Sequence, residues 1–314
     1  MKFIINSLIS AAVAFFCLLP LDTFAKTPLK VHVSILPQKY FVERVGRDRV
    51  KVDVLLRPGK NPATYAPTPD QIKTLLSSDL YFRIGVPFEN SILHKIESIA
   101  GTTVIDTRQG IDLREMAEHY HEGKDLDTAL KIQPNDTDRH DNEKQHAPVG
   151  RDPHIWMSPA LVKTQAHTIF KALSRIDPAG KDGYKTNYDL FVKDLDALDN
   201  RFKTALQDHK GENLFVFHPS FGYLTDAYGL KQIAVETMGK APKGKALSNI
   251  IKLAKQQNAR VIFVQPQFDV NAAQKIASAI NGAVVSIDPL AYDYLANMEN
   301  IVQTIAKTLQ DKHE

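Results

Sequence analysis

Leu214-Phe215-Val216-Phe217-His218 is the stretch whose reading decides the fold. A short run of apolar residues, aromatic or branched, proceeds without polar alternation and stops at a histidine. Such a run reads as a strand buried on both faces, as in a parallel sheet covered by helices. Ala283-Val284-Val285-Ser286-Ile287-Asp288 repeats the arrangement with an aspartate at its end. Open α/β sheets bind ligands just outside the carboxyl ends of their strands. His218 and Asp288 therefore stand where such a protein would hold something.

Outward from these runs, strand-like and helix-like segments alternate. Beyond Gly211, strands are expected at 214–217, 232–235, 260–264 and 283–287, with helices over 247–256, 271–280 and 294–309. Toward the N-terminus, strands are expected at 31–35, 50–56, 80–84 and 103–106, with a short helix at 40–45. Thr68-Pro69-Asp70 opens a further helix to Leu76, with a threonine cap and a proline in the first turn. Between the two halves, a helix spans 159–176 and ends at Asp177-Pro178-Ala179-Gly180. Tyr184, Tyr188, Phe191, Leu195, Leu198, Phe202 and Leu206 then recur every three or four residues. No proline or glycine interrupts that pattern, and at 1.5 Å per residue the helix would span on the order of 40 Å. The fold class is α/β: two lobes, each with a mainly parallel four-stranded sheet flanked by helices, joined by a long rigid backbone helix. The boundaries are an N-terminal lobe at 26–178, a linking helix at 179–210 and a C-terminal lobe at 211–314.

Residues 1–25 read as a secretory signal peptide: Lys2, an apolar stretch from Phe3 to Leu19, Pro20, and a cleavage site at Thr23-Phe24-Ala25. Asn6, Ser7 and Ser10 interrupt the stretch, which argues against a transmembrane anchor. Cys17 is the single cysteine and lies in this segment, behind the bulky Phe15 and Phe16 that disfavour a lipid-attachment site. After cleavage the chain would hold no thiol, so a bound metal would be held by nitrogen and oxygen. These features point to the bacterial periplasm, with no membrane anchor after cleavage. The 39 Lys+Arg against 36 Asp+Glu leave a net charge of +3, which gives no reason to expect nucleic acid.

Segment 118–150 is charged, histidine-rich and without apolar periodicity; it reads as a surface loop. His119, His121, His140 and His146 fall here, so metal affinity rivals an ordinary solvated loop. His154 follows in Arg151-Asp152-Pro153-His154-Ile155-Trp156. Taken singly, His218 suits a ligand, a catalytic base or a satisfied core residue, Asp288 suits a turn cap, and His154 suits a loop residue ahead of the helix after Ser158. Their joint placement at strand ends and lobe edges favours one shared site. Gln265 ends a strand on the same edge and suits either a supporting hydrogen bond or packing. Trp156 reads as packing beside His154. His32 reads as hydrogen-bonded or at a lobe edge, and His94, His167, His209 and His313 as solvated helix residues.

The chain resembles the periplasmic substrate-binding proteins of ABC transporters for zinc and manganese, above all their zinc-uptake branch. The resemblance covers nearly all of the chain after residue 25, and specific segments carry it. They are Leu55-Leu56-Arg57-Pro58-Gly59 through Tyr65-Ala66-Pro67-Thr68-Pro69, Tyr81 to Glu89, Asp152 to Pro159, His218 to Tyr223, Val264-Gln265-Pro266-Gln267-Phe268 and Asp288-Pro289-Leu290. The resemblance implies one metal ion between the lobes, with His154, His218 and Asp288 at three ligand positions. It also implies delivery to a permease at the inner membrane, by a monomer that does no chemistry on its cargo. The family's first ligand is a histidine in Pro-His-Thr-Tyr-Glu-Pro; here that segment is Pro62-Ala63-Thr64-Tyr65-Ala66-Pro67. Ala63 has no donor atom. Zinc would then be held by two nitrogens and a carboxylate, with water or a loop histidine in the fourth place, or the site has weakened. Manganese is the second candidate cargo, because imidazole favours zinc and carboxylate favours manganese.

Two histidines and a carboxylate also suit an open catalytic metal site, such as that of a zinc hydrolase. That reading needs a general base; Asp152 and Glu236 are candidates, but neither lies in a recognisable catalytic motif. An adhesin is the third class, disfavoured by the cleavable signal. The binding-protein reading, not an enzyme, is the one the motifs favour. Metal binding is expected to weaken below about pH 6.5, where protons compete for imidazole.

Overall fold

A computed structural model describes residues 27–97, 101–116, 150–236 and 240–310. The signal segment and nearly all of the histidine-rich segment, with His119, His121, His140 and His146, lie outside the described residues.

Two parallel four-stranded sheets form the frame. The first contains β1 (Leu29–Val33), β2 (Val50–Val54), β3 (Leu80–Arg83) and β4 (Thr103–Asp106) in the order β2-β1-β3-β4. The second contains β5 (Asn213–Val216), β6 (Lys231–Ala234), β7 (Val261–Val264) and β8 (Ala283–Ser286) in the order β6-β5-β7-β8. All eight strands were expected from their apolar runs, with ends displaced by one or two residues. The strand β5 shows how a continuous run is used. Leu214 and Val216 enter one hydrophobic core, while Phe215 and Phe217 enter another on the opposite face.

Nine α-helices accompany the strands among the described residues: α1 (Leu36–Gly46), α2 (Pro69–Leu76), α3 (Asn90–Glu97), α4 (Pro159–Ile176), α5 (Lys181–Leu206), α6 (Gly222–Tyr228), α7 (Gly244–Gln256), α8 (Val270–Ala279) and α9 (Tyr294–Gln310). Thr68 caps α2 in a capping box with Gln71, as Thr-Pro-Asp suggested. The helix expected at 40–45 starts earlier, because Pro37 occupies its first turn, where the missing N–H costs nothing. Helix α6 is additional to the expected set, and α3 gives bounds to the helix expected around His94.

The long helix α5 does not join the lobes alone. It packs against α1 of the first lobe and against α4 and α9. At its entry Asp177, buried, accepts from Arg49 (2.9 and 2.6 Å) and from the Tyr184 hydroxyl (2.8 Å). Gly180 passes so close to Arg49, Asp177 and Tyr184 that a Cβ there would collide with all three. The larger core is continuous from Phe41 and Phe82 through Tyr184, Phe191 and Phe202 to Leu214, Phe221, Tyr294 and Ile301, and so crosses from lobe to lobe. No helix among the described residues is long and apolar enough to cross a membrane.

Candidate metal centre

The carboxyl edge of the second sheet faces the first lobe across a cavity of about 170 Å³. In both sheets the chain order reverses at the inner strands, β1/β3 and β5/β7, the position where open α/β sheets bind ligands. The edge of the second sheet carries, in spatial order, Glu236 after β6, His218 after β5, Gln265 after β7 and Asp288 after β8.

His218 is fixed at three points. Gln265, fully buried, accepts from the His218 amide (3.1 Å) and donates to its carbonyl (2.7 Å) and to Ser220 Oγ (3.0 Å). The ring stacks on Phe268, with centroids 4.8 Å apart and planes 24° apart. Its Nδ1 lies 2.8 Å from Glu236 Oε1. Burial pushes the His218 pKa below 6.5, and Glu236 only partly offsets this, so the neutral ring is favoured. The Nδ1–H must then donate to the carboxylate, which leaves the Nε2 lone pair free.

His154 repeats the device from the other side of the cavity. Asp152, fully buried, accepts from the His154 amide (3.0 Å) and lies 2.6 Å from His154 Nδ1. Burial works against the Asp152 charge, but His154 and Arg114 together hold its pKa below the ordinary carboxylate value. An ionised carboxylate can only accept, so here too Nδ1 carries the proton, and in the neutral ring the free lone pair is that of Nε2. Tyr223 of α6 ties the loop across the lobes, donating to the Asp152 carbonyl (2.8 Å) and accepting from the Arg114 amide (3.1 Å). Trp156, 5.1 Å from the His154 ring, also spans the lobes, its indole N–H on the Pro289 carbonyl (2.8 Å).

The two imidazoles meet edge to face, 5.2 Å between centroids, and both line the cavity. Carboxylates on Nδ1 fix the tautomer and make Nε2 a stronger donor to a cation, the arrangement that supports zinc-binding histidines. Ala63 lines the same cavity at its exposed edge.

Asp288 stands apart from this pair. Its Oδ1 accepts from Gln267 Nε2 (2.8 Å) and from the Leu290 amide (2.9 Å), and it lines a neighbouring pocket of about 50 Å³ beside Arg57 and Lys60. Strand β7 intervenes between β5 and β8, so His218 and Asp288 leave the sheet two strand spacings apart, roughly 10 Å. Glu236, by contrast, leaves the strand next to β5. Among the described residues, no three His, Cys, Asp or Glu side chains converge as a metal-ligand group. The structure thus brings His154 and His218 together and leaves Asp288 one pocket away. Asp152 and Glu236, weighed in the sequence only as bases, each hold a ring at Nδ1, and Glu236 also lines the cavity. The spacing Asp-Pro-His pointed to the first; only strand adjacency points to the second. His32 is buried in β1 with no partner at Nδ1, so that nitrogen lacks the hydrogen bond expected of it.

Two parallel α/β sheets with a ligand-sized cavity between their lobes define a solute-binding protein of the rigid-helix kind. The match to the family of the periplasmic component A of the zinc-uptake complex runs over residues 31–308, and the chain belongs to that family. The high-affinity zinc uptake system protein ZnuA of Bacillus subtilis (strain 168) is 28% identical over 291 residues, which cover 90% of this chain and 82% of that one. Its counterpart from Yersinia pestis is 25% identical over 313 residues, 96% of each. A crystal structure of ZnuA superposes with a TM-score of 0.76 at 34% identity, covering 90% of this chain and 99% of that one. A ZnuA deletion mutant with zinc bound superposes with a TM-score of 0.77, also at 34% identity, covering 90% and 98%. A laminin-binding protein of Streptococcus agalactiae, 19% identical with a TM-score of 0.74 over 90% of this chain and 100% of that one, shares the fold.

Proposed function

We propose that this chain is the periplasmic receptor of an ABC importer, capturing zinc between its lobes and delivering it to the permease at the inner membrane. One observation carries the reading: two imidazoles, each with a carboxylate on Nδ1, line one cavity between the lobes. Zinc favours nitrogen ligands in tetrahedral sets. His154 and His218 supply two, and Asp288 supplies a third once its carboxylate leaves Gln267. Ala63 stands where the family's first histidine would be. His119, His121, His140 and His146 are additional ligands or carriers, and manganese is the second candidate cargo. Residues 1–25 direct export, and the mature chain acts as a monomer. Asp152 and Glu236 are each engaged by a ring Nδ1, which disfavours either as the base of a hydrolase.

Isothermal titration of chelator-treated protein with zinc, then manganese, beside His218→Ala tests this. One-to-one zinc binding that the variant loses is the expected result. Binding that survives the variant would remove the interlobe site from the reading.

A further inference from the structure

The cavity is larger than a zinc ion needs, and its walls are not those of a site for a bare ion. A water molecule accounts for about 30 Å³ of liquid, whereas an apolar protein cavity of about 150 Å³ admits a benzene-sized ring. The volume here, about 170 Å³, is of the second kind. Beyond the two imidazoles, the surface a bound ion would meet is largely apolar, with Pro62, Ala63, Val86, Phe268, Pro289 and Leu290 prominent. Among the described residues two imidazoles and the Glu236 carboxylate line this space; Glu236 is engaged by His218 Nδ1, and Asp288 is held by Gln267 and Leu290 in the adjoining pocket. Among the described residues, a tetrahedral zinc held by the two imidazoles would thus turn its remaining ligand positions toward a largely apolar wall.

We propose that the site takes zinc together with one exogenous imidazole-type nitrogen ligand, seated against Ala63 and the apolar wall. This rests on the zinc reading above and specifies the form in which the metal is held. A neutral aromatic heterocycle meets both demands: one lone pair for the metal and apolar faces for the walls. A free carboxylate would be desolvated against the same walls at a cost, and a single water would leave most of the volume unfilled. Ala63 lies at the exposed edge, so the ligand has a route in from solvent. Free histidine is the natural compound of this class, with its charged backbone groups left at the mouth.

The test is zinc titration at buffered free metal, with and without imidazole or histidine, on the full chain and on Ala63→His, Ala63→Phe and a variant with His119, His121, His140 and His146 changed to asparagine. Apparent zinc affinity should rise about tenfold or more on adding imidazole, the expected linkage when a second ligand binds only the metal-loaded site. Ala63→His should bind zinc tightly without that gain, and Ala63→Phe should lose the gain. With cobalt(II) as a spectroscopic substitute, imidazole should shift the visible bands of the parent chain and not those of Ala63→His. Zinc binding indifferent to imidazole overturns the proposal and leaves the zinc reading standing. Sensitivity seen only after the four loop histidines are removed also overturns it, since the chain would then supply its own ring. Absence of zinc binding under every condition would remove both readings together.

Discussion

A histidine becomes a good metal ligand when something else decides which of its nitrogens is free, and here a carboxylate decides it twice. Glu236 and Asp152 each accept a hydrogen bond from Nδ1, at 2.8 and 2.6 Å, so in the proposed site neither ring has to choose a tautomer when a cation arrives. The arrangement has a cost at Glu236. Its second oxygen is buried without a hydrogen-bond partner, and an unsatisfied buried oxygen destabilises the fold that contains it. Replacing Glu236 by glutamine keeps the shape and an acceptor for Nδ1 but removes the charge. Zinc affinity should fall about 10- to 100-fold, the usual effect of losing such a partner, while the melting temperature of the metal-free protein should hold or rise. Titration and thermal unfolding on the same preparation check both halves. Unchanged affinity would show that Glu236 does not tune His218. A melting temperature that drops sharply would show a structural role instead.

At the scale of elements, the sheet edge explains what could be read from the chain and what could not. Strand β5 was legible because Leu-Phe-Val-Phe serves two faces at once, and α5 because its apolar residues keep a helical period with nothing to break it. Helix α6 was not legible, since seven residues are too few to display a period. His154 and His218 were found as ends of their segments. Their carboxylate partners were not, because the nearness of Glu236 to His218 depends on β6 lying beside β5, a fact of strand order. The same signal that marked His218 also marked Asp288, yet strand order sets β7 between them. Inside β1, His32 is buried with Nδ1 unpartnered. Burial lowers its pKa below 6.5, with Asp53 opposing only in part. As pH falls, the unfolded chain therefore takes the proton first. Stability on this account is full above 6.5 and is lost as pH falls toward the lowered folded value. His32→Leu should flatten the fall in melting temperature of metal-free protein between about pH 7 and pH 5. Part of the slope should remain, because burial lowers the His218 pKa as well. Equal slopes for parent and variant would mean that His32 takes up its proton alike in the folded and the unfolded chain.

Across the whole molecule, the cavity lies between two lobes that have little freedom to part. The main core runs through both, and α9 of the second lobe packs beside α1 of the first, with Tyr294 edge-on to Phe41 at 4.9 Å between ring centroids. Polar links reinforce the junction: Tyr292 to Glu43 at 2.6 Å, Trp156 to Pro289 at 2.8 Å, and Arg44 paired with Asp194 of α5. Opening such an interface would expose apolar residues from a continuous core, a cost that one coordinated ion is poorly placed to offset. Capture and release then fall to the segments that rim the cavity, where ordering a few side chains is enough. Hydrogen exchange with and without zinc should show protection at 61–63, 151–158 and 218–223, with α5 and the inner strands of both sheets unchanged. Protection spread through α5 and both sheets would mean that the lobes move as bodies. The polar links would then be contacts remade at each closure, and release to a permease would proceed by opening the whole cleft.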